Sequence, residues 1–290
     1  MLSYRHAYHA GNHADVLKHL VLAHCLEHMN AKDKPYLVAD THAGAGIYAL
    51  ESHSAQRTGE YLSGIGRIWG RKDLPPALAP LIELLHGLNS DGKLRVYPGS
   101  PWLARALTRK GDKLRLCELH TTDFALLRRE FGDEPKRIQL DNSDGFEMLK
   151  AALPPTSRRG VVLIDPSYEI KSDYTKVAVA VKDAIGRFAT GTYLVWHPLL
   201  PLIEANALPT KLKKLGAKHW LHATLQVRAA STKGHGMHGS GMFVVNPPWK
   251  LDAALREALP YLATHLALDE KATWNVESFE SSPNDGAPSR

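Results

Sequence analysis

The sequence has few of the features that mark a secreted, disulfide-stabilised or membrane-spanning protein. It holds two cysteines in 290 residues, Cys25 and Cys117, each among apolar neighbours and without the spacing of a disulfide framework or a thiolate metal site. No apolar run approaches the roughly 20 residues that a membrane-spanning helix needs. The start of the chain, residues 1–12, is polar and rich in Tyr and His, so it does not resemble a secretory signal. We therefore expect a cytoplasmic protein in a reducing environment.

The charge balance is mildly basic. Lys and Arg number 36 against 30 Asp and Glu, which gives a formal net charge of +6 and an isoelectric point of about 9.2. Such an excess fits a polyanionic partner such as nucleic acid but does not by itself identify one. Hydrophobic residues make up 44% of the chain, so a sizeable core is expected and the function has to be sought in the motifs.

Short apolar segments alternate with helix-like segments along most of the chain. Buried strands are predicted at residues 35–40, 113–119, 137–140, 160–165 and 192–196, and a closing antiparallel pair at 217–228 and 242–246. Helices are predicted at residues 16–29, 121–131, 146–153, 173–188 and 201–215. This alternation predicts an α/β fold with an open, mostly parallel, Rossmann-like sheet, which binds ligands beyond the carboxyl ends of its strands.

The connection between the first two strands is too long for a single crossover helix. Two helix-like stretches, residues 58–69 and 77–88, fall within it, so we expect residues 53–98 to form a small helical insertion. We assign residues 1–34 to an N-terminal arm and helix and residues 35–277 to the main α/β domain. The end of the chain, residues 278–290, is rich in Ser, Pro, Asp and Gly and is expected to be disordered.

A glycine loop or an acidic residue follows each of the first three predicted strands. Asp40 begins Asp-Thr-His-Ala-Gly44-Ala-Gly46, whose glycines let the backbone approach a ligand closely, a pattern shared with dinucleotide sites and with plain tight turns. Glu118 ends the second strand, where a carboxylate can accept both hydroxyls of a ribose. Asp144 follows the third strand, where it can accept from the amino group of an adenine. This ordered set favours a nucleotide-type cofactor, S-adenosylmethionine, over isolated loop charges.

Asp165-Pro166-Ser167-Tyr168 ends the fourth predicted strand and resembles the Asp-Pro-Pro-Tyr tetrapeptide of amino-group methyltransferases, with Ser in the third place. The N6 amine of adenine is a poor nucleophile because its lone pair is delocalised into the ring. The Asp165 carboxylate and the Pro166 carbonyl can accept its two N–H groups and aim the lone pair at a sulfonium methyl group. Tyr168 is expected to offer a face on which the extruded base stacks. The alternative is a strand followed by an ordinary Pro turn.

A second tetrapeptide, Asn246-Pro247-Pro248-Trp249, matches the amide version of this motif more fully. It follows the last predicted strand, however, whereas Asp165 lies one strand-helix-strand step beyond Asp144. We therefore interpret Asn246 as part of a structural turn.

The first 28 residues carry an unusual number of histidines. His9 and His13 are four apart, as are His24 and His28, a spacing that two metal ligands on one helix face would use. No Cys partner and no His-Glu-x-x-His pattern accompanies them, so we expect no metal site. A helix start that carries His and Lys beside the glycine loop could instead bind the carboxylate of the cofactor.

Seven segments, in order, resemble the ribosomal RNA large subunit methyltransferase J family: LSYRHAYHAGNHADVLKH, DTHAGAG, RTGEYLSGIGRIW, YPGSP, SRRGVVLIDPSYE, RFATGTYLVWHP and SGMFVVNPPWKL. The long N-terminal segment and RTGEYL are the specific ones. The resemblance extends to about Leu266 and implies a Rossmann-like class I methyltransferase fold with a helical insertion. It also implies methylation of adenine N6 in 23S rRNA with S-adenosylmethionine, on naked or early-assembly RNA and without an obligate protein partner.

The same resemblance implies roles for particular residues of this chain. Residues that would contact the cofactor are His19, His42, Ser100, Glu118, Asp144 and Gly145, with Lys18 nearby. Asp165 would be catalytic, and Tyr4 would lie at the mouth of the site near the RNA. Read without the resemblance, Ser100 is a helix N-cap.

Three other functions share some of these features. A nicotinamide-dependent oxidoreductase would use the glycine loop but has no need of Asp165-Pro166 at the fourth strand, and an inactive RNA-binding module has no need of the acids. An adenine-N6 DNA methyltransferase would use the same motifs in the same order. If RNA is bound, phosphate contacts are expected from basic residues among Arg105, Arg109, Lys110, Arg158 and Arg159.

Overall fold

The computed structural model describes residues 4–231 and 236–281. Within them lie the strands β1 (Leu37–Asp40), β2 (Ile47–Ala49), β3 (Val96–Pro98), β4 (Lys113–Cys117), β5 (Ile138–Asp141), β6 (Gly160–Ile164), β7 (Thr192–Leu199), β8 (His219–Gln226), β9 (Gly239–Val245) and β10 (Thr273–Glu280). The α-helices are α1 (His13–Asn30), α2 (His53–Thr58), α3 (Glu60–Ser63), α4 (Ala79–Leu88), α5 (Ser100–Leu107), α6 (Thr121–Phe131), α7 (Gly145–Ala152), α8 (Ser172–Arg187), α9 (Ile203–Lys213) and α10 (Leu251–His265). No helix in this described part of the chain is long and apolar enough to cross a membrane.

Eight strands form one sheet in the order β10-β8-β9-β7-β6-β1-β4-β5. The five strands from β7 to β5 run parallel, and β9 is antiparallel to both β7 and β8. The mostly parallel sheet with late antiparallel strands is therefore confirmed. From β1 the chain runs outward to β4 and β5 and then returns to β6 on the other side of β1. The loops after β1, β4 and β6 consequently diverge and open a crevice at their carboxyl ends.

Helix α1 lies almost wholly inside the molecule. Asn12 caps its start, since the Asn12 side chain accepts from the backbone N–H groups of Ala14 and Asp15. Its apolar side chains on all sides, among them Leu17, Leu20 and Leu22, are fully buried against the sheet and helices α4, α5 and α10. A helix that is apolar all round is a core element. The polar residues that α1 carries are therefore held in fixed positions.

The predicted insertion, residues 53–98, contains α2, α3, α4 and strand β3, which pairs antiparallel with β2. The helix expected at residues 77–88 matches α4, but the one expected at 58–69 is broken into α3 and a 3-10 turn, Ile65–Arg67. Gly64 causes the break, because a Cβ there would lie 2.1 Å from the Gly11 carbonyl oxygen. Close approach to the N-terminal arm decides the backbone path at this point.

Strand β10 corrects the expectation for the end of the chain. Residues 278–280 were assigned to a disordered tail, but they extend β10, where Ser278 pairs with Leu221 and Glu280 with His219. Pairing with β8 satisfies the backbone hydrogen-bonding groups of these residues whatever their side chains are, so the amino-acid composition alone was misleading. The remainder of the expected tail, residues 282–290, lies outside the described residues.

Candidate active site

A cavity of about 240 Å³ lies beyond the carboxyl ends of β1, β4, β5 and β6. Each strand delivers one part of its wall: His42 and Gly44 follow β1, Glu118 follows β4, and Asp165 follows β6. The structure brings most of the predicted site residues together in this lining, namely Tyr4, Lys18, His19, His42, Gly44, Ser100, Glu118, Asp144, Gly145, Asp165 and Pro166.

Two residues of the predicted glycine loop lie behind the cavity wall. Asp40 is buried and accepts from the Ser100 hydroxyl at 2.6 Å and from the His42 N–H at 3.2 Å, so it holds two lining residues in place. Burial raises the pKa of Asp40 to about 6, against the lowering effect of these two hydrogen bonds. Gly46 has a φ of +83°, and a Cβ there would lie 2.4 Å from a ring carbon of Phe131. Both residues shape the loop and do not face the cavity.

Tyr168 does not take the orientation expected for a stacking platform. It is buried, its hydroxyl donates to the Trp196 carbonyl at 2.7 Å, and its ring packs on Tyr174 with centroids 4.6 Å apart. The chain turns sharply here, because Tyr168 has a φ of +54°. The expectation that Tyr168 stacks on a base is therefore not met. Trp196, which sequence reasoning did not single out, lines the cavity instead.

Glu118 is tied to the glycine loop by its own hydrogen bonds. One carboxylate oxygen accepts from the Gly44 N–H at 2.8 Å and the other from the His120 N–H at 2.7 Å. Burial raises the pKa of Glu118, and these backbone donors partly offset that rise. Because a carboxylate oxygen accepts more than one hydrogen bond, Glu118 keeps acceptor capacity for ligand hydroxyls.

The loop after β5 touches the loop after β1. Asp144 caps α7 by accepting from the Phe146 N–H at 2.8 Å, and Gly145 packs so closely that a Cβ there would lie 2.0 Å from the Thr41 carbonyl oxygen. Only glycine fits at this position without displacing the backbone. The Asp144 carboxylate is consequently fixed at the cavity edge.

A buried chain of charged groups leads from Asp165 to the N-terminal arm. The Lys18 ammonium lies 2.7 Å from Asp165 and 2.9 Å from Asp15, and Asp15 accepts from His6 Nε2 at 2.9 Å. His6 Nδ1 lies 2.8 Å from the Tyr4 hydroxyl. Asp15 and Lys18 are only 1% and 5% exposed. Sequence reasoning missed Asp15 and His6, although Asp15 stands one helical turn before Lys18.

The pKa values in this chain follow from burial and from the partners. Burial alone would raise the pKa of Asp15, but the charges of His6 and Lys18 hold it well below its usual range. Burial alone would lower the pKa of Lys18, but Asp15 and Asp165 raise it well above. Burial raises the pKa of Asp165, and Lys18 offsets only part of that. Lys18 is thus held as an ammonium shared by two carboxylates.

Asp165 borders two cavities. The second cavity, about 210 Å³, lies between the N-terminal arm and β7, and it shares Tyr4, His6, Lys18, Asp165, Ser167 and Trp196 with the first. Its remaining wall includes His9, Asn12 and Pro198. Asp165 therefore lies between the two cavities.

The second Pro-containing tetrapeptide lies at the amino ends of the parallel strands, which we call the amino edge of the sheet; the cavity lies at their carboxyl ends, the carboxyl edge. Strand β9 is antiparallel to β7, so Val245 pairs with Tyr193 and Asn246 falls at the amino end of β7. The Asn246 amide donates to the carbonyls of Ala189 and Gly191 at 2.8 and 2.7 Å. This is the structural turn that its place in the chain predicted.

The proposed phosphate contacts also lie away from the cavity. Arg109 donates to the Asp112 carboxylate and to the carbonyls of Lys32 and Lys34, and Arg159 donates to the carbonyls of Met29 and Lys34, all around the amino end of β1. Arg105 is engaged by Glu130. These guanidinium groups are engaged within the protein and lie outside the cavity lining, and phosphate contact by the basic surface stays a prediction.

The cavity fits a cationic nucleotide-type cofactor. Its lining holds six carboxylates, Glu118, Asp123, Asp144, Asp165, Glu169 and Asp173, against the two lysines Lys18 and Lys176. His19 Nε2 and His120 Nδ1 are buried and have no hydrogen-bond partner among the described residues. Burial lowers the pKa of His19 to about 3, so the ring is neutral, and its Nδ1 is already engaged by Tyr97 at 3.0 Å. Nε2 thus remains for a polar group of the ligand.

An open, mostly parallel sheet with an acid at four successive strand ends and Asp-Pro at the last of them defines a Rossmann-like methyltransferase. The family model "Ribosomal RNA large subunit methyltransferase D, RlmJ" matches residues 33–279, and the chain belongs to that family. The resemblance found in the sequence is thereby confirmed, and the chain is a methyltransferase.

Relatives match over almost the whole chain. The chain is 49% identical over 266 residues to ribosomal RNA large subunit methyltransferase J of Escherichia coli (strain K12), which covers 92% of this chain and 94% of that protein. It is 45% identical over 278 residues to the protein of the same name from Haemophilus influenzae, covering 96% and 98%. The crystal structure of protein LPL1258 from Legionella pneumophila superimposes with a TM-score of 0.86 at 34% identity and covers 93% and 98%.

Proposed function

We propose that the chain transfers a methyl group from S-adenosylmethionine to the N6 amine of an adenine in 23S rRNA. The observation that carries the proposal is the position of Asp165, which borders the acid-lined cavity on one side and the second cavity on the other. Two relatives named as ribosomal RNA large subunit methyltransferases support rRNA as the substrate. An rRNA substrate, naked or in an early assembly intermediate, places the enzyme in the cytoplasm.

The first cavity holds the cofactor. Glu118 accepts the ribose hydroxyls and Asp144 accepts from the adenine amino group, and His42 and Ser100 line the same cavity. His19 Nε2 and the third N–H of Lys18 are placed for the amino-acid end. The cofactor supplies the electrophilic methyl group. The excess of carboxylates in the lining favours its positive charge.

The second cavity takes the target base, and its amine lies between Asp165, which borders both cavities, and Pro166, which lines the first. The Asp165 carboxylate and the Pro166 carbonyl accept the two N–H groups, which directs the nitrogen lone pair toward the first cavity. As methyl transfer makes the nitrogen positive, the buried Asp165 carboxylate stabilises that charge. The pKa of Asp165 is raised by burial, so Asp165 is also a better acceptor for the proton that the product amine loses. Lys18 fixes its orientation through the 2.7 Å contact.

Aromatic faces for the base come from Tyr4 and Trp196, because Tyr168 is turned away. Tyr4 is 36% exposed and lines both cavities, as does Trp196. Stacking on an aromatic side chain offsets part of the energy lost when a base leaves its helix, and it is worth about 1–3 kcal/mol per base. Tyr4 comes from the N-terminal arm and Trp196 from β7, so the base is held between two independent elements.

The experiment is single-turnover transfer of a radiolabelled methyl group from S-adenosylmethionine to 23S rRNA, with DNA of the same sequence as the competing substrate. We expect N6-methyladenosine in the RNA and none in the DNA. A naked transcript and rRNA in assembly intermediates are compared side by side to distinguish the two RNA substrates. Label in DNA alone, or no label although the cofactor binds, would contradict the proposal.

A further inference from the structure

The helical insertion grips the N-terminal arm that carries Tyr4 and His6. Residues 58–65 of the insertion, which we name the clasp, contact residues 8–12 of the arm. The Thr58 hydroxyl donates to the Tyr8 carbonyl, and the Ile65 N–H donates to the Gly11 carbonyl at 2.8 Å. Gly64 leaves the space for this approach, since a Cβ there would lie 2.6 Å from the Asn12 Cα. The specific RTGEYL segment of the sequence is thus a contact surface for the arm.

Glu60 is the charged centre of the clasp. One carboxylate oxygen accepts from His9 Nδ1 at 2.9 Å and the other from the Asn12 amide at 2.9 Å. The side chains of Glu60 and His9 are each 34% exposed. The hydrogen bond from His9, together with that from Asn12, outweighs burial and lowers the pKa of Glu60, while Glu60 raises the pKa of His9. Each partner therefore favours the charged form of the other.

His9 transmits this anchoring to Tyr4. The two rings stack with centroids 5.3 Å apart and planes 6° apart, so His9 fixes the face of the Tyr4 ring. The other constraint on Tyr4 is its hydroxyl, which lies 2.8 Å from His6 Nδ1. The other ring nitrogen of His6, Nε2, lies 2.9 Å from the Asp15 carboxylate, so the His6 ring links Tyr4 to Asp15. Two contacts therefore hold Tyr4. Its ring stacks on His9, which Glu60 of the insertion anchors, and its hydroxyl contacts His6, which belongs to the charged chain leading to Asp165.

We propose that Glu60 and His9 are positioning residues for methyl transfer, which act by holding the Tyr4 ring beside the cavities. This inference rests on the proposed function, in which Tyr4 stacks on the target base. Neither residue supplies a group to the Asp165 charge chain, and Glu60 lies outside both cavity linings. The helical insertion, residues 53–98, thereby acquires a role in the reaction, although none of its residues lines the cofactor cavity.

The variants are His9→Ala, Glu60→Ala and their combination, with His53→Ala and Glu51→Gln as matched controls. His53 is an exposed residue at the start of the insertion, and Glu51 is an exposed residue just before it that pairs with Arg95 at 3.6 Å. We expect each of the three arm variants to lower the single-turnover rate on the order of tenfold to 100-fold, because small misplacements at a reacting centre have effects of this size. The combined variant should lose no more than either single one, since both act through the same contact. Cofactor affinity should stay within about twofold.

Repeating His9→Ala in a Tyr4→Ala background separates positioning from stability. If His9 acts through Tyr4, the further loss of rate in that background is less than about twofold. If His9→Ala lowers the rate as much in the Tyr4→Ala background as it does in the parent protein, His9 has a structural role and the inference is overturned. A lowered stoichiometry of cofactor binding overturns it as well. The two controls should keep the parent rate.

Hydrogen exchange of the arm gives a second readout that does not depend on turnover. His9→Ala and Glu60→Ala should speed amide exchange in residues 4–12 relative to His53→Ala, with unchanged exchange in β1 and β6. Unchanged exchange in the arm overturns the inference. If the parent protein fails to methylate rRNA, the proposed function fails, while the exchange measurement still tests the clasp by itself.

Discussion

The two edges of the central sheet carry two similar tetrapeptides with opposite roles. Asp165-Pro166 follows the parallel strand β6 at the carboxyl edge, where the Asp165 carboxylate lies against Lys18 and borders both cavities. Asn246-Pro247 follows the antiparallel strand β9 at the amino edge, where the Asn246 amide donates into the carbonyls of a neighbouring turn. Asn246-Pro247-Pro248-Trp249 fits the methyltransferase motif more fully, yet strand direction places it away from the crevice. The motif has meaning only together with its place in the sheet.

The charge distribution separates the same two edges. At the carboxyl edge, buried carboxylates outnumber the cations that they contact; Asp15 and Asp165, for example, both contact Lys18. At the amino edge the cations are engaged by backbone carbonyls, as in Arg109 and Arg159 around residues 29–34. A catalytic edge therefore holds charges whose pKa values are shifted by burial, and a structural edge holds charges in satisfied hydrogen bonds.

The largest effect is expected from Asp165→Asn. The change keeps the shape of the side chain but removes the charge that stabilises the developing positive nitrogen, so the single-turnover rate should fall on the order of 10³-fold. Circular dichroism and thermal unfolding check that the fold is retained. An Asp165→Asn protein with near-parental rate would mean that the active strand has been assigned wrongly.

Asp40 tests the energetic cost of the carboxyl edge. Because burial raises the pKa of Asp40 to about 6, the folded state keeps its proton at pH values where the unfolded chain has released it. Stability attributable to Asp40 should therefore fall as the pH rises from about 4 to about 6 and stay constant above that. The difference between 3.8 and about 6 corresponds to roughly 3 kcal/mol.

Urea unfolding of Asp40→Asn and the parent at several pH values measures this. The mutant should lack the fall between about pH 4 and 6, and Asn246→Ala, which removes no ionisable group, should follow the parent. Parallel curves for Asp40→Asn and the parent would show that Asp40 is not the group responsible.

Glu118 tests the cofactor side of the crevice. Glu118→Ala removes the proposed charged acceptor for the ribose hydroxyls, and hydrogen bonds to charged groups are worth about 1.5–3 kcal/mol, so affinity for S-adenosylmethionine should fall roughly tenfold or more. Glu147→Ala is the matched control, since Glu147 is exposed and pairs with Lys150 at 2.7 Å. Calorimetry that finds equal affinities for the two variants would remove Glu118 from the site.

The smallest effect is expected at the amino edge. Asn246→Ala removes two hydrogen bonds to the turn at residues 189–191, so the free energy of unfolding should fall by about 1–2 kcal/mol. The rate per folded molecule should stay within about twofold of the parent. A folded Asn246→Ala protein with no activity would reverse the comparison between the two edges.

The sequence predicted those parts of the site that depend on strand order alone. Glu118, Asp144 and Asp165 lie together because the carboxyl ends of parallel strands meet at one edge, and each acid was recognisable as a strand end. Ser100 and His42 came from the family resemblance, and the structure places both in the same lining.

The remaining parts depend on tertiary contacts that no local pattern encodes. Lys18 meets Asp165 across 147 positions of the chain, and His6 finds Asp15 only because the arm folds back onto α1. Tyr168 turns away from the site because of a backbone angle that its residue type disfavours. Residues 278–280 form a strand because β8 offers an unpaired edge.

Catalysis at Asp165 is tested most directly by mapping N6-methyladenosine in 23S rRNA from cells that lack this protein. We expect that an adenine loses its methyl group, that the parent protein and Asn246→Ala restore it, and that Asp165→Asn does not. An rRNA methylation pattern that is unchanged without the protein, or that Asp165→Asn restores as well as the parent does, would contradict this expectation.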